Sequence, residues 1–252
     1  MEEQNKLENE EVKMKKGKFS LWIENFFYHY KWHTIGVAFV LIVVLICTLQ
    51  MCDKTSYDML IVYAGSKDIE RTTEDGSTTE YVDLSTALKN VIGDYDENGE
   101  LSIGLNTMFW MSSDEIKVWN EENMKKDIED REELNTVLIQ NNHSEITEMI
   151  MYSEYYLWFM SDDLYENIKS RSGDRFVPLD SLVPEGDEVS YYGDDTCAIY
   201  LSSTAFYSLP GVKELPDDTV IVLRRLGVGT NDSTERSYEN SIEVIKNILE
   251  FE

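Results

Sequence analysis

One acidic turn carries oxygen-bearing side chains at the spacing of a calcium-binding loop. Asp94, Asp96 and Asn98 stand at alternate positions and Gly99 follows, which matches positions 1, 3, 5 and 6 of an EF-hand loop. Position 12 of such a loop supplies a bidentate carboxylate, but Leu105 occupies it here. The competing interpretation is an Asn-Gly turn that opens a strand, and we favour it. We therefore predict no metal site, and no affinity for calcium tighter than millimolar.

Histidine chemistry is nearly excluded in the larger, C-terminal part of the chain. His143 is the only histidine after the apolar run near the N-terminus. It follows Asn141 and Asn142 in a polar stretch, which predicts a surface side chain and allows either one long helix or two consecutive helices with a break at these residues. A Ser/His/Asp site would need this residue, and the Gly-x-Ser-x-Gly elbow of α/β-hydrolases does not occur. We predict no catalytic residue, no cofactor and no enzymatic activity.

Two further patterns have stronger structural than ligand-binding interpretations. Gly227 and Gly229 precede the last predicted helix and resemble an anion-binding loop, but a lone Gly-x-Gly is ordinary in a flexible connection. The aromatic residues of 155–159 and Tyr191-Tyr192 have surfaces that stack on sugars or peptides. Alternation within the first group instead favours a strand that is buried on both faces. Neither pattern assigns a binding residue.

Three cysteines limit the redox and metal chemistry of the chain. Cys47 lies within the apolar run, Cys52 at its end and Cys197 in a predicted strand, so their spacing matches no metal-binding pattern. Two cysteines outside the run are too few for a disulfide scaffold. The sequence leaves open an intermolecular disulfide through Cys52.

The apolar run itself predicts a transmembrane helix. Residues 34–51 are eighteen uncharged residues, which as a helix reach about 27 Å, close to the thickness of the hydrocarbon core. Five lysines between residues 12 and 33, against Glu24 alone, place the N-terminus in the cytoplasm by the positive-inside rule. The run ends Leu-Gln-Met before Cys52. Signal-peptidase and lipoprotein sites need small residues there, so we expect an uncleaved anchor.

A second membrane feature precedes the run. Apolar residues, most of them aromatic, recur with helical periodicity at positions 19, 22, 23, 26, 27 and 30. This stripe fits a helix in the inner head-group layer and equally a direct continuation of the spanning helix. The expected organisation is a cytoplasmic tail with this juxtamembrane segment over 1–33, a transmembrane helix over 34–51 and an extracellular acidic domain over 53–252.

Charge is distributed unevenly along the chain. Residues 1–33 contain six acidic and six basic side chains, so the formal charge of −27 belongs to the remainder, with 43 Asp and Glu against 16 Lys and Arg. Such a field repels nucleic acids and anionic head groups, and it attracts cations, basic peptides and basic polymers. We exclude nucleic acid as a partner of this domain. The simplest role of the charge is solubility.

Strand and helix patterns alternate after residue 57. The predicted strands are 58–64, 101–110, 155–160, 198–201 and 219–223, and helical spacing occurs within 84–91, 134–150, 161–168 and 232–249. Ser161 is the expected N-cap of the third helix, and Asp232 with Glu235 has capping-box spacing before the last. The alternation predicts a single layered α/β domain with a mostly parallel or mixed sheet.

One stretch resembles a known family. A helix from Ser144 leads to the strand 156–160, Ser161 opens the next helix, and Pro178-Leu179-Asp180 forms a turn. This order is similar to the first lobe of extracellular solute-binding proteins of the maltose-binding type, which are type II periplasmic binding proteins. The remaining layout is similar to the anchored outer domains of uncharacterised Gram-positive membrane proteins. The chain is too short for both lobes of a receptor, so the resemblance implies a fold and assigns no ligand-contact residue.

These expectations combine into a membrane-anchored extracellular binding or interaction module, accessory to a transporter or an envelope complex. Open α/β sheets bind ligands beyond the carboxyl ends of their strands, so the expected contact face surrounds Ser66, Ser161, Ser202 and Ser203. A single lobe offers an open shelf, which suits a protein or an envelope polymer better than a free sugar. The alternatives are a transmembrane signalling component and a calcium-assisted envelope hydrolase.

Overall fold

The structure, a computed structural model, describes residues 18–52, 57–67, 69, 71–72, 79–80, 82–186, 188–227 and 231–251. The chain consists of two compact units, residues 1–55 and residues 56–252. Most of the expected cytoplasmic tail, together with Gly229, lies outside the described residues.

The first unit contains one apolar helix, α1, from Lys18 to Cys52. Its segment Tyr28–Thr48 is 21 residues long with a mean hydropathy of 2.0, and none of that window is buried. Large apolar side chains therefore face outward, such as Phe39 at 66% and Leu41 at 63% exposure. Such a surface is unfavourable in water and stable in hydrocarbon. α1 is a candidate membrane-crossing helix, consistent with an anchor or a signal sequence.

The aromatic segment is part of this same helix. α1 runs without a break for 35 residues, which corresponds to the direct continuation of the spanning helix, one of the two alternatives above. Trp22, Phe26 and Tyr30 follow one another along its surface with ring centroids 5.7 and 5.4 Å apart. A helix of this length reaches about 52 Å, so it extends well beyond a hydrocarbon core.

The second unit is built on a six-stranded mixed sheet. The strands are β1 (Met59–Gly65), β2 (Arg71–Thr72), β3 (Thr79–Glu80), β4 (Ile103–Phe109), β5 (Leu157–Ser161), β6 (Tyr191–Tyr192), β7 (Asp195–Tyr200) and β8 (Thr219–Leu223). β2 pairs with β3, and the other six form one sheet in the order β4-β1-β5-β8-β7-β6. β4, β1 and β5 are parallel, whereas the three remaining pairings are antiparallel. The predicted α/β domain with a mixed sheet is confirmed.

Helices cover both faces of this sheet. They are α2 (Val82–Leu88), α3 (Ser113–Lys125), α4 (Thr136–Tyr152), α5 (Asp162–Ser172) and α6 (Asp232–Leu249), with short 3-10 helices at 128–130, 180–182, 201–203 and 205–208. Leu157 and Phe159 of β5 pack with residues of α2 and α6, and Trp158 and Met160 pack with residues of α4 and α5. Every residue of β5 is buried, which confirms the strand predicted to be covered on both faces.

One long helix, the first of the two alternatives for residues 134–150, is what the structure has, and the possible break at Asn141, Asn142 and His143 does not occur. α4 continues through all three residues. The side chain of Asn142 donates to the carbonyl of Phe109 at 2.8 Å, so it ties the helix to the end of β4. A polar residue that favours a turn is thus retained inside a helix because a tertiary contact satisfies its amide.

The predicted helix caps are partly wrong. α5 does begin after Ser161, but the Ser161 side chain makes no capping hydrogen bond. α6 is capped by Asn231 and Thr234, not by Asp232 and Glu235: Asn231 Oδ1 accepts from Thr234 N at 2.9 Å, and Thr234 Oγ1 accepts from Asn231 N at 2.9 Å. The capping box therefore lies one residue earlier, and Thr replaces the usual acidic partner.

Candidate functional site

The parallel strands bring the expected contact residues to one end of the sheet. β1, β4, β5 and β7 end there and β8 begins there, and we call this end the carboxyl edge. Ser66 follows β1, Ser161 ends β5, and Ser202 and Ser203 follow β7, so all four serines lie at this edge. The hydroxyls of Ser202 and Ser203 donate to backbone carbonyls at 3.0 and 2.7 Å. Those two serines therefore have structural roles.

Ser161 and Tyr63 place buried hydroxyl groups at the carboxyl edge. Ser161 is 2% exposed, and its Oγ has no hydrogen-bond partner among the described residues. The Tyr63 ring turns over Gly65, where an added Cβ would lie 2.7 Å from the phenol oxygen, so this close approach requires glycine. The phenol oxygen is buried and has no hydrogen-bond partner among the described residues, although the backbone N–H of Lys67 is near enough to oppose the rise of its pKa. Burial raises the pKa of Tyr63, and the group stays a phenol.

Carboxylates from three segments converge beside these hydroxyls. Asp162 and Asp163 open α5, Glu115 lies in the first turn of α3, and Asp218 directly precedes β8. The backbone N–H of Asp162 donates to the carbonyl of Asp218 at 3.0 Å, which joins two of the segments. Burial raises the pKa of Asp218 to about 6, and repulsion from Asp162, Glu115 and Asp163 adds to the shift. A cation at this edge would relieve that repulsion.

An open groove of about 700 Å³ adjoins the carboxyl edge and is lined by residues of α3, α4 and α5. Its floor includes Trp110 and Met111, which follow β4 and are 5% and 8% exposed. Its walls carry hydroxyl, amide, imidazole and carboxylate groups, among them Ser112, Asp114, Gln140, Ser144, Asp163 and Glu166. The volume is in the range of ligand pockets, roughly 300 to 1,000 Å³. The carboxyl edge, which was expected to be an open surface, thus has a groove beside it.

His143 lies in the wall of this groove, and its surroundings determine its tautomer. The Arg171 guanidinium lies 3.2 Å from Nε2. A guanidinium only donates, so Nε2 accepts and the proton of the neutral ring is on Nδ1. Burial lowers the pKa of His143 and the charge of Arg171 lowers it further, so the ring is neutral at pH 7. Nδ1 is buried and has no partner within the described part of the chain. The expected surface histidine is therefore a partly buried donor.

Asn167, which also lines the groove, has a buried side-chain oxygen. Its Oδ1 is buried and has no hydrogen-bond partner among the residues that the structure describes. It precedes Arg171 by one turn of α5, so the two side chains lie on one side of the helix. Trp110 lies against His143 with ring centroids 6.2 Å apart and planes inclined by 30°. His143 Nδ1, Asn167 Oδ1 and the Trp110 ring are all buried behind the surface of the groove.

No protein family, no curated protein and no solved structure matches this chain. None of these comparisons therefore supports the resemblance of residues 144–182 to a solute-binding lobe. What the site does has to be argued from its geometry, because a fold class alone assigns no function.

The turn that resembles a calcium loop is held by its own backbone. Asp94 and Asp96 accept hydrogen bonds from the N–H groups of residues 98 and 99 at 2.8 to 3.1 Å. Asp58, which is 5% exposed, accepts from the N–H groups of Tyr95 and Asp96 in this turn and of Ser102 just after it, at 2.8 to 3.2 Å. Burial opposes its ionisation, but these hydrogen bonds hold the pKa of Asp58 below its ordinary value. Oxygens of the three carboxylates lie within 4.8 Å of one another. The absence of a calcium site stays a prediction.

The cysteines contribute no reactive group to the site. Cys47 and Cys197 are free thiols, and the side chain of Cys52 lies outside the described ones. Burial raises the pKa of Cys197 to about 11, and the neighbouring Asp195 carboxylate adds to the shift. The group is therefore protonated at neutral pH, and a thiol is a poor nucleophile.

Several residues of this site were missed by sequence reasoning. Tyr63 and Trp110 belong to apolar runs and were expected only as core residues, yet both reach the carboxyl edge. Asn167 and Asp218 carry no local signal, because their partners are distant in sequence. One signal was available: Ser112 and Glu115 have capping-box spacing, which indicates the start of α3 and hence one wall of the groove.

Proposed function

We propose that this chain is a membrane-anchored binding module that holds a cationic partner at the carboxyl edge of its sheet. α1 is the anchor, the N-terminus is cytoplasmic and residues 53–252 are extracellular. The partner is a basic protein segment or an amine-bearing envelope polymer. In this proposal the chain performs no catalysis and serves as an accessory to a transporter or an envelope complex.

The observation that carries the proposal is the junction of α5 and β8 at the carboxyl edge, where the N–H of Asp162 donates to the carbonyl of Asp218 at 3.0 Å and the carboxylates of Asp162, Asp163 and Glu115 repel that of Asp218. Like charges at one place cost folding free energy, which a cationic ligand would recover.

Two of the carboxylates also have structural partners, because Asp162 accepts from the Tyr200 hydroxyl at 2.8 Å and Glu115 accepts from the N–H of Ser112 at 2.6 Å. The proposal therefore depends most on exposed Asp163 and on Asp218, whose buried Oδ1 has no partner among the described residues. Charge spread over the surface would serve solubility equally well without raising the pKa of any single carboxyl. The location supports the same conclusion, because open α/β sheets bind ligands beyond the carboxyl ends of their strands.

The resemblance to one lobe of a type II periplasmic binding protein is compatible with this role. A single lobe presents the carboxyl edge without a second lobe to close over it. An extended partner can lie along such an edge and contact both the carboxylates and the adjoining groove. A small free solute would have less of its surface buried there than in a closed cleft.

The test uses the full chain in lipid nanodiscs and a fluorescent poly-lysine of about twenty residues. We expect binding that weakens steeply with salt, because exposed charges are screened beyond the Debye length. The variant Asp162→Asn/Asp163→Asn/Asp218→Asn should bind at least about tenfold more weakly, which corresponds to roughly 1.4 kcal/mol over three charge pairs.

The matched control removes three exposed carboxylates elsewhere, with Glu148→Gln/Glu154→Gln/Glu239→Gln. These residues lie near the end of α4, before β5 and in the first half of α6, away from the carboxyl edge. Equal loss of binding in both variants would show that net charge alone attracts the polymer, and the proposed site would then be wrong.

A further inference from the structure

We infer that the outer edge of β4 binds an extended basic peptide, which adds to the sheet as a further strand. β4 is the outermost strand of the six-stranded sheet and pairs with β1. This surface is separate from the carboxylates of the carboxyl edge, so the inference goes beyond the proposed function and does not depend on it.

Two hydrogen bonds determine which residues of β4 face its neighbour. The carbonyl of Ser102, just before β4, accepts from the N–H of Asp58 at 3.0 Å, and the N–H of Trp110, just after β4, donates to the carbonyl of Gly65 at 2.8 Å. Both bonds run to the side of β1. Consecutive residues of a strand direct their N–H and C=O groups to opposite edges, so the even-numbered residues of β4 face β1 and the odd-numbered ones face outward.

The N-terminal half of this outer edge is open. The other end is closed, because the carbonyl of Phe109 accepts from the Asn142 side chain at 2.8 Å. The N–H and C=O groups of Ile103 and Leu105 have no hydrogen-bond partner on the outer side among the described residues. Six of the seven residues of β4 are partly exposed, on both faces alike, whereas every residue of β5 and β8 is buried. Exposure that does not alternate along a strand belongs to its edge, so the edge itself is accessible.

β4 carries none of the features that protect an edge strand. Its sequence, Ile-Gly-Leu-Asn-Thr-Met-Phe, has no charged residue and no proline, and its register with β1 is continuous. Open edges of this kind pair with further strands, and recognition domains use them to bind extended peptides. An added peptide strand supplies the alternating donors and acceptors that this edge lacks.

Charge at the start of β4 selects a basic peptide. Glu97 and Glu100 are exposed in the turn that precedes β4, and no ion pair joins either of them to another described residue. A Lys or Arg near the end of an added strand would pair with these carboxylates. A second copy of this chain fits less well. Antiparallel pairing of two β4 strands about Leu105 would bring the acidic turn of one copy toward Asp114 and Glu115 of the other, and like charges repel.

The experiment compares three capped octapeptides on the full chain in nanodiscs by calorimetry. One alternates lysine and valine, the second has the same sequence with every backbone nitrogen methylated, and the third alternates glutamate and valine. We expect the lysine peptide to bind at least about tenfold more tightly than its methylated form, because methylation removes the backbone donors and keeps the charge. The glutamate peptide should not bind. Equal binding of the two cationic peptides, or no binding of the lysine peptide, would overturn the added strand and leave the proposed function to its own test with poly-lysine.

Hydrogen exchange resolved to single amides locates the bound peptide. The amides of Ile103 and Leu105 should exchange at least about tenfold more slowly when the lysine peptide is bound, because an added strand protects the outward N–H groups. The amides of Gly104 and Asn106 face β1 in either state and are the internal control. Unchanged exchange at Ile103 and Leu105 under saturating peptide would contradict the assignment to β4.

Substitutions in the acidic turn separate this surface from general charge. Glu97→Gln/Glu100→Gln should weaken binding of the lysine peptide about three- to tenfold, as expected for the loss of two surface ion pairs. The matched control is Glu121→Gln/Glu122→Gln, which changes two exposed carboxylates of α3, beyond the other end of β4. Equal losses in the two variants would show that net charge alone attracts the peptide, and the proposed surface would then be wrong.

Discussion

At the scale of single residues, the buried polar groups of this domain fall into two kinds. Arg224 is 6% exposed and fully engaged, with its guanidinium 4.5 Å from the centre of the Tyr156 ring. Ser161 is buried to a similar degree, and its hydroxyl has no partner within the described residues. An engaged polar group stabilises the fold, whereas an unpaired one costs free energy and points to a ligand or a bound water.

Replacement of Arg224 should destabilise the domain strongly. Its guanidinium donates to the carbonyls of Tyr155 at 3.0 Å, Ile150 at 3.4 Å and Ser153, so it closes the C-terminal end of α4. Arg224→Ala removes this donor from the carbonyls of Ile150 and Ser153, whereas the carbonyl of Tyr155 keeps the indole N–H of Trp158 at 3.1 Å, and we expect the free energy of unfolding to fall by about 2–4 kcal/mol. Urea unfolding of the full chain in detergent measures this change.

The control is the neighbouring Arg225→Ala. Arg225 is half-exposed and pairs with Asp174, which is itself largely exposed, at 2.9 Å. Such a surface pair is worth less than about 1 kcal/mol. Similar losses for the two arginines would show that Arg224 has no special role in closing α4.

Asp218 makes the stability of the domain depend on pH. Its folded-state pKa of about 6 lies above the unfolded value of roughly 4, so the folded protein binds more protons between these values. The free energy of unfolding therefore contains a contribution that increases as the pH falls through 6. Asp218→Asn should stabilise the domain at pH 7.5 by on the order of 1 kcal/mol, after allowance for solvent screening of a half-buried carboxyl.

Urea unfolding at pH 7.5 and pH 5 measures this effect. The stabilisation by Asp218→Asn should be largest at the higher pH and shrink at the lower. Asp217→Asn is the control, because Tyr207 donates to that carboxylate at 2.7 Å and an amide oxygen still accepts. A pH-independent gain in the Asp218 variant would mean that the repulsion among the edge carboxylates is not its cause.

At the scale of elements, the sequence predicted what apolar burial determines. β5 and β8 were placed within two residues because they are continuous apolar runs that helices cover on both faces. α3 was missed, since each of its residues is at least partly exposed and no apolar stripe marks it. The groove could not be predicted because its walls come from three helices. The contact between His143 of α4 and Arg171 of α5 likewise has no local signal, because the two residues are distant in sequence.

The two helix starts with unexpected capping provide a prediction at this scale. Asn231 caps α6 through a reciprocal pair of hydrogen bonds with Thr234, so Asn231→Ala should lower the free energy of unfolding by about 1 kcal/mol. Ser161 makes no capping bond at α5, so Ser161→Ala should be neutral or slightly stabilising. Chemical unfolding of both variants measures the difference. A loss of about 1 kcal/mol at Ser161 would show that its hydroxyl is bonded in solution.

At the scale of the whole molecule, charge and hydropathy divide the chain in the same way. The apolar surface of Tyr28–Thr48 marks α1 as a candidate membrane-crossing helix, and four of the five lysines of residues 12–33 precede this segment while Lys31 lies within it. The formal charge of −27 belongs to the residues after position 33. Basic residues are held at the cytoplasmic side during insertion, whereas acidic residues contribute little to orientation. A binding module for a cationic envelope partner would need this orientation.

The orientation is tested with an epitope tag placed before Met1 and protease added to intact spheroplasts. We expect digestion of the acidic domain and survival of a tagged fragment that contains Lys18 and α1, because the five lysines before the span keep the N-terminus inside. Permeabilised cells are the control, and there the tag should be lost as well. Digestion of the tag in intact spheroplasts would reverse the orientation. A free domain in the medium, cut near Cys52, would instead identify α1 as a cleaved signal sequence.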